Sequence, residues 1–260
     1  MSAKQIHKVI NREVNKVNAP QYRMSINLRI DGLSLLIIQS ENVINAFDYS
    51  WQASDWNVCA NNLREVFSIQ AFRSYDFKSI DVFIESEHST IIPNELFQKE
   101  LKQDLLNTYI GNSEYTAHLY KLDNENATII FGVHKGLEEI ISKLLKSPVF
   151  YSSSAMFIDE ALMNNKGAKS ISLLINSNRF EIIANSENGL LGHNNFQYHT
   201  IDEFMFLLLS FVKQQGFDVN KVKLALYNDL VIGSEIDNQL KNQKEEAFST
   251  LIKYTIIANS

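Results

Sequence analysis

The chain has 260 residues, of which 45% are apolar and 21% charged, with a formal net charge of -6 and a pI near 5.6. At roughly 100 to 200 residues per domain, that length admits one large domain or two smaller ones, each with its own core, and the composition excludes a disordered or fibrous chain. The mildly acidic balance carries no basic block, so nucleic acid is not expected as a partner, and the single cysteine, Cys59, excludes an intrachain disulfide and a multi-cysteine metal site.

Residues 1–22 read as an N-terminal extension. Lys4, Lys8, Arg12 and Lys16 interrupt its apolar residues, a pattern unlike a secretory signal, and the expectation is a cytoplasmic protein in a reducing compartment. Ile26, Leu28 and Ile30 then alternate with polar neighbours, and Leu33 to Ile38 is a dense apolar run. Between them Asp31-Gly32 predicts a hairpin whose turn uses positive φ. Val43 to Trp51 predicts a third strand. Trp56, Cys59, Ala60, Leu63, Val66 and Phe67 follow at helical spacing behind a Ser54 cap, and Ser79 to Glu85 predicts a fourth strand.

The stretch from Thr90 to Lys166 predicts a helix at Asn94 to Thr108, a strand pair at Tyr115 to Leu122 and Thr128 to Val133, and an amphipathic helix through Leu137, Ile141 and Leu145. Pro148 stops that helix, Val149 to Tyr151 is a short strand, and Ser152 to Ser154 can cap a helix over Ala155 to Asn164. The first plan then recurs. Ser170-Ile171, Leu173 and Ile175 match Ser25-Ile26, Leu28 and Ile30 at an offset of 145, and Ser186-Glu187-Asn188 matches Ser40-Glu41-Asn42 at 146. A third strand near Gly189 to Tyr198 leads to Thr200-Ile201-Asp202-Glu203, which has capping-box spacing. The helix behind it runs to about Gln215, and Lys221 to Tyr227 is the matching fourth strand. The apolar run Phe204 to Val212 is nine residues long, whereas a bilayer span needs about 20, so no membrane insertion is expected.

Three strands, a helix and a strand, twice over with extra elements in the first copy, resemble the actin-like ATPase superfamily. The stretch Thr90 to Phe97 and the segment Ile129 to Lys146 are similar to an uncharacterised bacterial family of that fold, and more distantly to pilus-assembly and cell-division actin relatives. The resemblance implies a mixed α/β fold of two ribonuclease-H-like βββαβ halves. Its expected divisions are 23–166, with an inserted subdomain at about 90–147, and 167–260.

In members that hydrolyse ATP, a carboxylate and glycines in the first hairpin of each half hold phosphate and magnesium. Carried onto this chain, the resemblance places Asp31 and Gly32 in the first half, and Asn176 and Gly233 in the second, against any nucleotide. Asn176-Ser177-Asn178 has neither carboxylate nor glycine, and Tyr227-Asn228 stands where relatives place paired glycines. Glycine is nine of 260 residues, roughly half the usual share, which leaves little for phosphate-cradling loops. The expectation is a degenerate or non-catalytic interaction module that needs no cofactor or metal and binds another protein. The rival readings are an ATP- and magnesium-binding relative with an atypical site, and a dimerising structural protein.

No Walker loop, dinucleotide-binding glycine turn or His-Glu-x-x-His helix occurs in the sequence. His193 and His199 read as solvent-facing strand residues, Ser152 to Ser154 as a cap rather than a nucleophile, and Cys59 as an inert core thiol. Phe47, Tyr49 and Trp51 share one strand face near Trp56. The four are either packing or an exposed partner-binding patch.

Overall fold

Alternating burial along the first strands decides where the first core lies. The computed structural model describes residues 3–228 and 254–257, except 11, 41, 53–54, 70, 87, 112, 123–125 and 177–178. It divides into two compact units, the first Met1–Leu122 with Asn126–Met156 and the second including Phe157–Ser260. In the first, β1 (Lys4–Ile10), β2 (Arg23–Arg29), β3 (Gly32–Gln39) and β4 (Asn42–Ser50) are followed by α1 (Trp56–Ile69) and β5 (Ser79–Ile84). Met24, Ile26 and Leu28 of β2 and Leu33, Leu35 and Ile37 of β3 are buried together, while Ser25, Asn27, Arg29 and Ser34 sit half-exposed on the other face. That is the period-2 signature of a sheet whose core lies on one side.

The inserted elements are β6 (Ser89–Pro93), α2 (Lys102–Ile110), β7 (Tyr115–Lys121) and β8 (Ala127–His134), and then α3 (Lys135–Leu144) and β9 (Val149–Ser152) return to the main sheet. Strands β6, β8 and β7 form a separate antiparallel sheet in that order. Leu106 of α2 is buried against its Ala117 and Ile130. Helix α3 packs against α1, and its Leu137 and Ile141 join Leu63, Val66 and Phe67 in the main core. The six-stranded sheet runs β1-β4-β3-β2-β5-β9. Its edge strand β1 comes from the N-terminal extension and pairs antiparallel with β4.

The second unit repeats the order. It follows α4 (Ser153–Asn164) with β10 (Ser170–Asn176), β11 (Arg179–Ser186), β12 (Gly189–Gln197), α5 (Ile201–Gln214), β13 (Lys223–Asn228) and β14 (Tyr254–Ile257). Its sheet runs β12-β11-β10-β13-β14, with the first three strands antiparallel and the last two joined in parallel. β4-β3-β2-β5-β9 has the same order and directions. Each unit is thus a ribonuclease-H-like sheet, as the resemblance implied. No helix among the described residues is long and apolar enough to cross a membrane.

Local chemistry accounts for most boundaries and corrects some. Ser54 lies outside the described residues; Asp55 caps α1, its Oδ1 accepting from the Asn57 and Val58 amides at 2.8 and 3.0 Å. The helix expected at Asn94 to Thr108 begins only with a 3-10 turn at Lys99–Leu101 and continues as α2. The expected cap at Ser152 is present, its Oγ accepting from the Ala155 amide at 3.2 Å. In the capping box before α5, Thr200 Oγ1 accepts from the Glu203 amide at 3.2 Å, and Glu203 Oε2 accepts from the His199 amide at 2.8 Å.

Candidate functional site

The β2–β3 hairpin holds the two first-half residues singled out by the sequence. Its turn residues are Ile30 and Asp31, between the paired Arg29 and Gly32, and neither Asp31 nor Gly32 has positive φ. This corrects the expected turn geometry and gives Gly32 another role. A Cβ on Gly32 would lie 2.4 Å from the Tyr49 carbonyl oxygen on β4, so glycine here permits the close approach of two backbones.

All three carbonyls of the bend are engaged from within the unit. The Cys59 thiol donates to Arg29 O at 3.7 Å, Trp51 Nε1–H to Ile30 O at 2.8 Å, and the Trp51 amide to Asp31 O at 2.8 Å. Phe47, Tyr49 and Trp51 are buried at 3%, 3% and 6% exposure, and Trp56 packs against the same core. The cluster is therefore packing, and the reading of it as an exposed patch does not hold. Trp51 adds a specific job, since its apolar body fills the core while its indole N–H fixes the turn. Cys59 is fully buried, and burial, with a smaller contribution from the Asp31 charge, pushes its thiol up to about 12. It is an inert core thiol, as expected.

On the opposite face Arg29 organises the charges. Its Nη1 donates to Ser34 Oγ at 3.1 Å, and Ser34 Oγ–H donates to Asp48 Oδ1 at 2.7 Å. Its guanidinium also lies 3.6 Å from Asp31 and 3.8 Å from Asp48. The carboxylate that would face magnesium in a hydrolytic relative thus sits beside an arginine, which supplies the positive charge locally. Arg29, Ser34 and Asp48 were not singled out from the sequence. The usable signal is register, because Ser34 lies directly opposite Asp48 on β4, and that register follows only once the hairpin is placed.

Asn176 ends β10, paired with Arg179 of β11, and Ser177, Asn178 and Gly233 lie outside the described residues. His193 departs from its expected solvent-facing role. Its side chain is 16% exposed, and its Nε2 lies 3.3 Å from Oε2 of the buried Glu181. His199 is exposed. Among the described residues no group of three or more His, Cys, Asp or Glu is placed to hold a metal ion.

The sequence matches, over residues 11–243, the model of a family described as protein of unknown function (DUF3822). No curated protein matches the chain. A Bacteroides thetaiotaomicron protein with actin-like ATPase fold and unknown function is similar in structure, with a TM-score of 0.79, 23% identity and 94% of each chain covered. The ethanolamine utilization protein EutJ from Carboxydothermus hydrogenoformans has a TM-score of 0.51 at 8% identity, with 95% of this chain and 88% of that one covered. A PilM-PilN type IV pilus biogenesis complex gives 0.55 at 8%, covering 90% and 88%. The likeness is one of fold, and it agrees with the strand order found in each unit: the chain has the actin-like ATPase fold.

Proposed function

Given that this chain belongs to the DUF3822 family of proteins of unknown function, we propose that it is a non-catalytic actin-like module that acts by binding another protein. The observation that carries this reading is the Arg29 fork. Asp31 and Asp48 both lie within 4 Å of one guanidinium, and Ser34 completes the network, so both carboxylates of the hairpin that would hold magnesium and phosphate already share a cation from within the chain. Gly32 serves the β3–β4 approach, which accounts for the one glycine of the motif without a phosphate. A structural relative is a PilM-PilN complex, which supports the search for a protein partner. Fold alone does not carry an activity from one protein to another.

Thermal unfolding with and without ATP and magnesium tests the proposal. A ligand that binds the folded chain raises its melting temperature in proportion to RT ln(1 + [L]/Kd). The expected result is no shift at millimolar ATP, either for the wild type or for Asp31→Asn. A rise of several degrees that Asp31→Asn abolishes would establish the rival reading, a nucleotide-binding relative.

A further inference from the structure

Helices α1 and α5 hold the same place in the two units, and the offset of 145 residues that aligns their strands also aligns their buried faces. Cys59, Leu63, Val66 and Phe67 of α1 correspond to Phe204, Leu208, Phe211 and Val212 of α5, and all of them are buried. The outer faces differ in character. On α1 the solvent-facing stripe is Asn57, Asn61, Arg64 and Ser68, polar throughout and exposed. It is partly closed on its own helix, Arg64 Nη1 donating to Asn61 Oδ1 at 2.8 Å and Ser68 Oγ–H to the Glu65 carbonyl at 2.7 Å. The same positions on α5 are Asp202, Phe206, Leu209 and Lys213. Phe206 is 69% exposed and Leu209 half-exposed, whereas Met205 and Leu207 pack against the core beneath the helix. The fold is thus compatible with a wholly polar stripe at this place, and the apolar pair of α5 needs another cause. Single exposed apolar side chains are ordinary, but two neighbours framed by opposite charges have the layout of an interface.

The stripe is complementary to itself. Its four positions are symmetric about the point between Leu207 and Leu208, near the middle of the helix Ile201–Gln214, so reversing the helix exchanges Phe206 with Leu209 and Asp202 with Lys213. A second α5 laid antiparallel on the first therefore sets each Phe206 level with a Leu209 and each Asp202 level with a Lys213, and a two-fold axis repeats both contacts. At ~1.5 Å per residue the acid and the base stand roughly 16 Å apart along each helix, which leaves the apolar pair at the centre and the charges at the rim. A parallel pair would instead oppose like charges. The acid lies in the first turn and the base in the last, so antiparallel helices also bring ends of opposite dipole together. Two helices make a small contact beside the roughly 1,200–2,000 Å² of a lasting complex, which calls for a reversible association.

We infer that two copies of this chain associate through α5, the helices antiparallel, with Phe206 of each on Leu209 of the other and Asp202 paired with Lys213 across the contact. The inference goes beyond the reading of the Arg29 fork and does not depend on it, since α5 belongs to the other unit. The test is sedimentation equilibrium of the full chain at concentrations from about 5 to 500 μM, with circular dichroism to check that each variant is folded. The expected result is a monomer–dimer equilibrium with a dissociation constant at or below about 100 μM. Phe206→Glu, at an exposed position, should weaken it by about tenfold or more. Asp202→Lys or Lys213→Asp alone sets like charges level and should weaken it by about threefold or more. The two together should restore it to within about twofold, because exchanging the charges keeps each pair matched in this register. A wild type that stays monomeric over the whole range would overturn the inference. So would a dimer indifferent to Phe206→Glu, which would have to use another face, or a double charge variant as weak as the single ones.

Discussion

Strands β3 and β11 occupy the same place in the two units, and they are built differently. β3 alternates, with Leu33, Leu35 and Ile37 buried and Ser34, Leu36 and Ile38 half-exposed. β11 is buried without a break from Phe180 to Asn185. The strands beside them show the same divergence. Ser25 of β2 is half-exposed, whereas Ser170, its counterpart at the offset of 145, is fully buried. The core face, Ile26 and Leu28 against Ile171 and Leu173, is alike in both units. A repeated template therefore holds one face of each sheet constant, because a core tolerates little change in volume. The other face is free to diverge, into a charged fork around Arg29 in one unit and a buried polar layer around Asn165 and Asn185 in the other.

The largest effects should come from the shared face. Leu28→Ala and Leu173→Ala each open a cavity at a position of 0% exposure, and each should cost about 2–5 kcal/mol in urea unfolding. A cost below about 1 kcal/mol at either would break the equivalence of the two cores. Gly32→Ala comes next, at about 1–3 kcal/mol, because a Cβ 2.4 Å from the Tyr49 carbonyl oxygen forces β3 and β4 apart. An unchanged stability for that variant would remove the backbone explanation for the glycine. On the divergent face the sign should reverse. Ser170→Ala deletes a buried hydroxyl without a partner and should stabilise by about 1 kcal/mol, while Ser25→Ala should stay within about 0.5 kcal/mol. Equal effects at the two serines would mean that their surroundings are not different after all.

The same division between faces explains what could be read from the sequence. The strands and helices of both units were legible because alternation and helical spacing are properties of the shared face, as in Ile26, Leu28 and Ile30 or Cys59, Leu63 and Val66. The Arg29 fork was not. Arg29, Ser34 and Asp48 are brought together by cross-strand register, and no local spacing in the sequence states which polar residues meet across three strands. The role of Gly32 was misassigned for a related reason, since Asp-Gly carries a strong turn signal while the restriction comes from a residue on β4. His193 looked solvent-facing because its partner, Glu181, lies on the adjacent strand. The uninterrupted burial of β11 was hidden by Glu181 and Asn185, polar residues that nonetheless lie inside.

Cys59 turns the comparison into a measurement with the smallest perturbation, since no residue need be changed. It is the sole cysteine of the chain and sits in the first unit, bonded to the Arg29 carbonyl beneath the hairpin. Alkylation requires the thiolate. With its thiol pushed up to about 12, the thiolate fraction at pH 8 is on the order of 10⁻⁴, against roughly a quarter for a free cysteine of ordinary pKa. The native chain should therefore react with iodoacetamide roughly two-thousandfold more slowly than in denaturant, before its lack of exposure is considered. Measured across a urea series, the rate reports opening of the first unit alone, whereas circular dichroism reports both. Coincident midpoints would mean that the two units unfold as one cooperative body, and separated midpoints that each core stands by itself. Rapid labelling in the absence of denaturant would contradict the packing of α1 under the hairpin, and with it the locked turn on which the contrast between the two units rests.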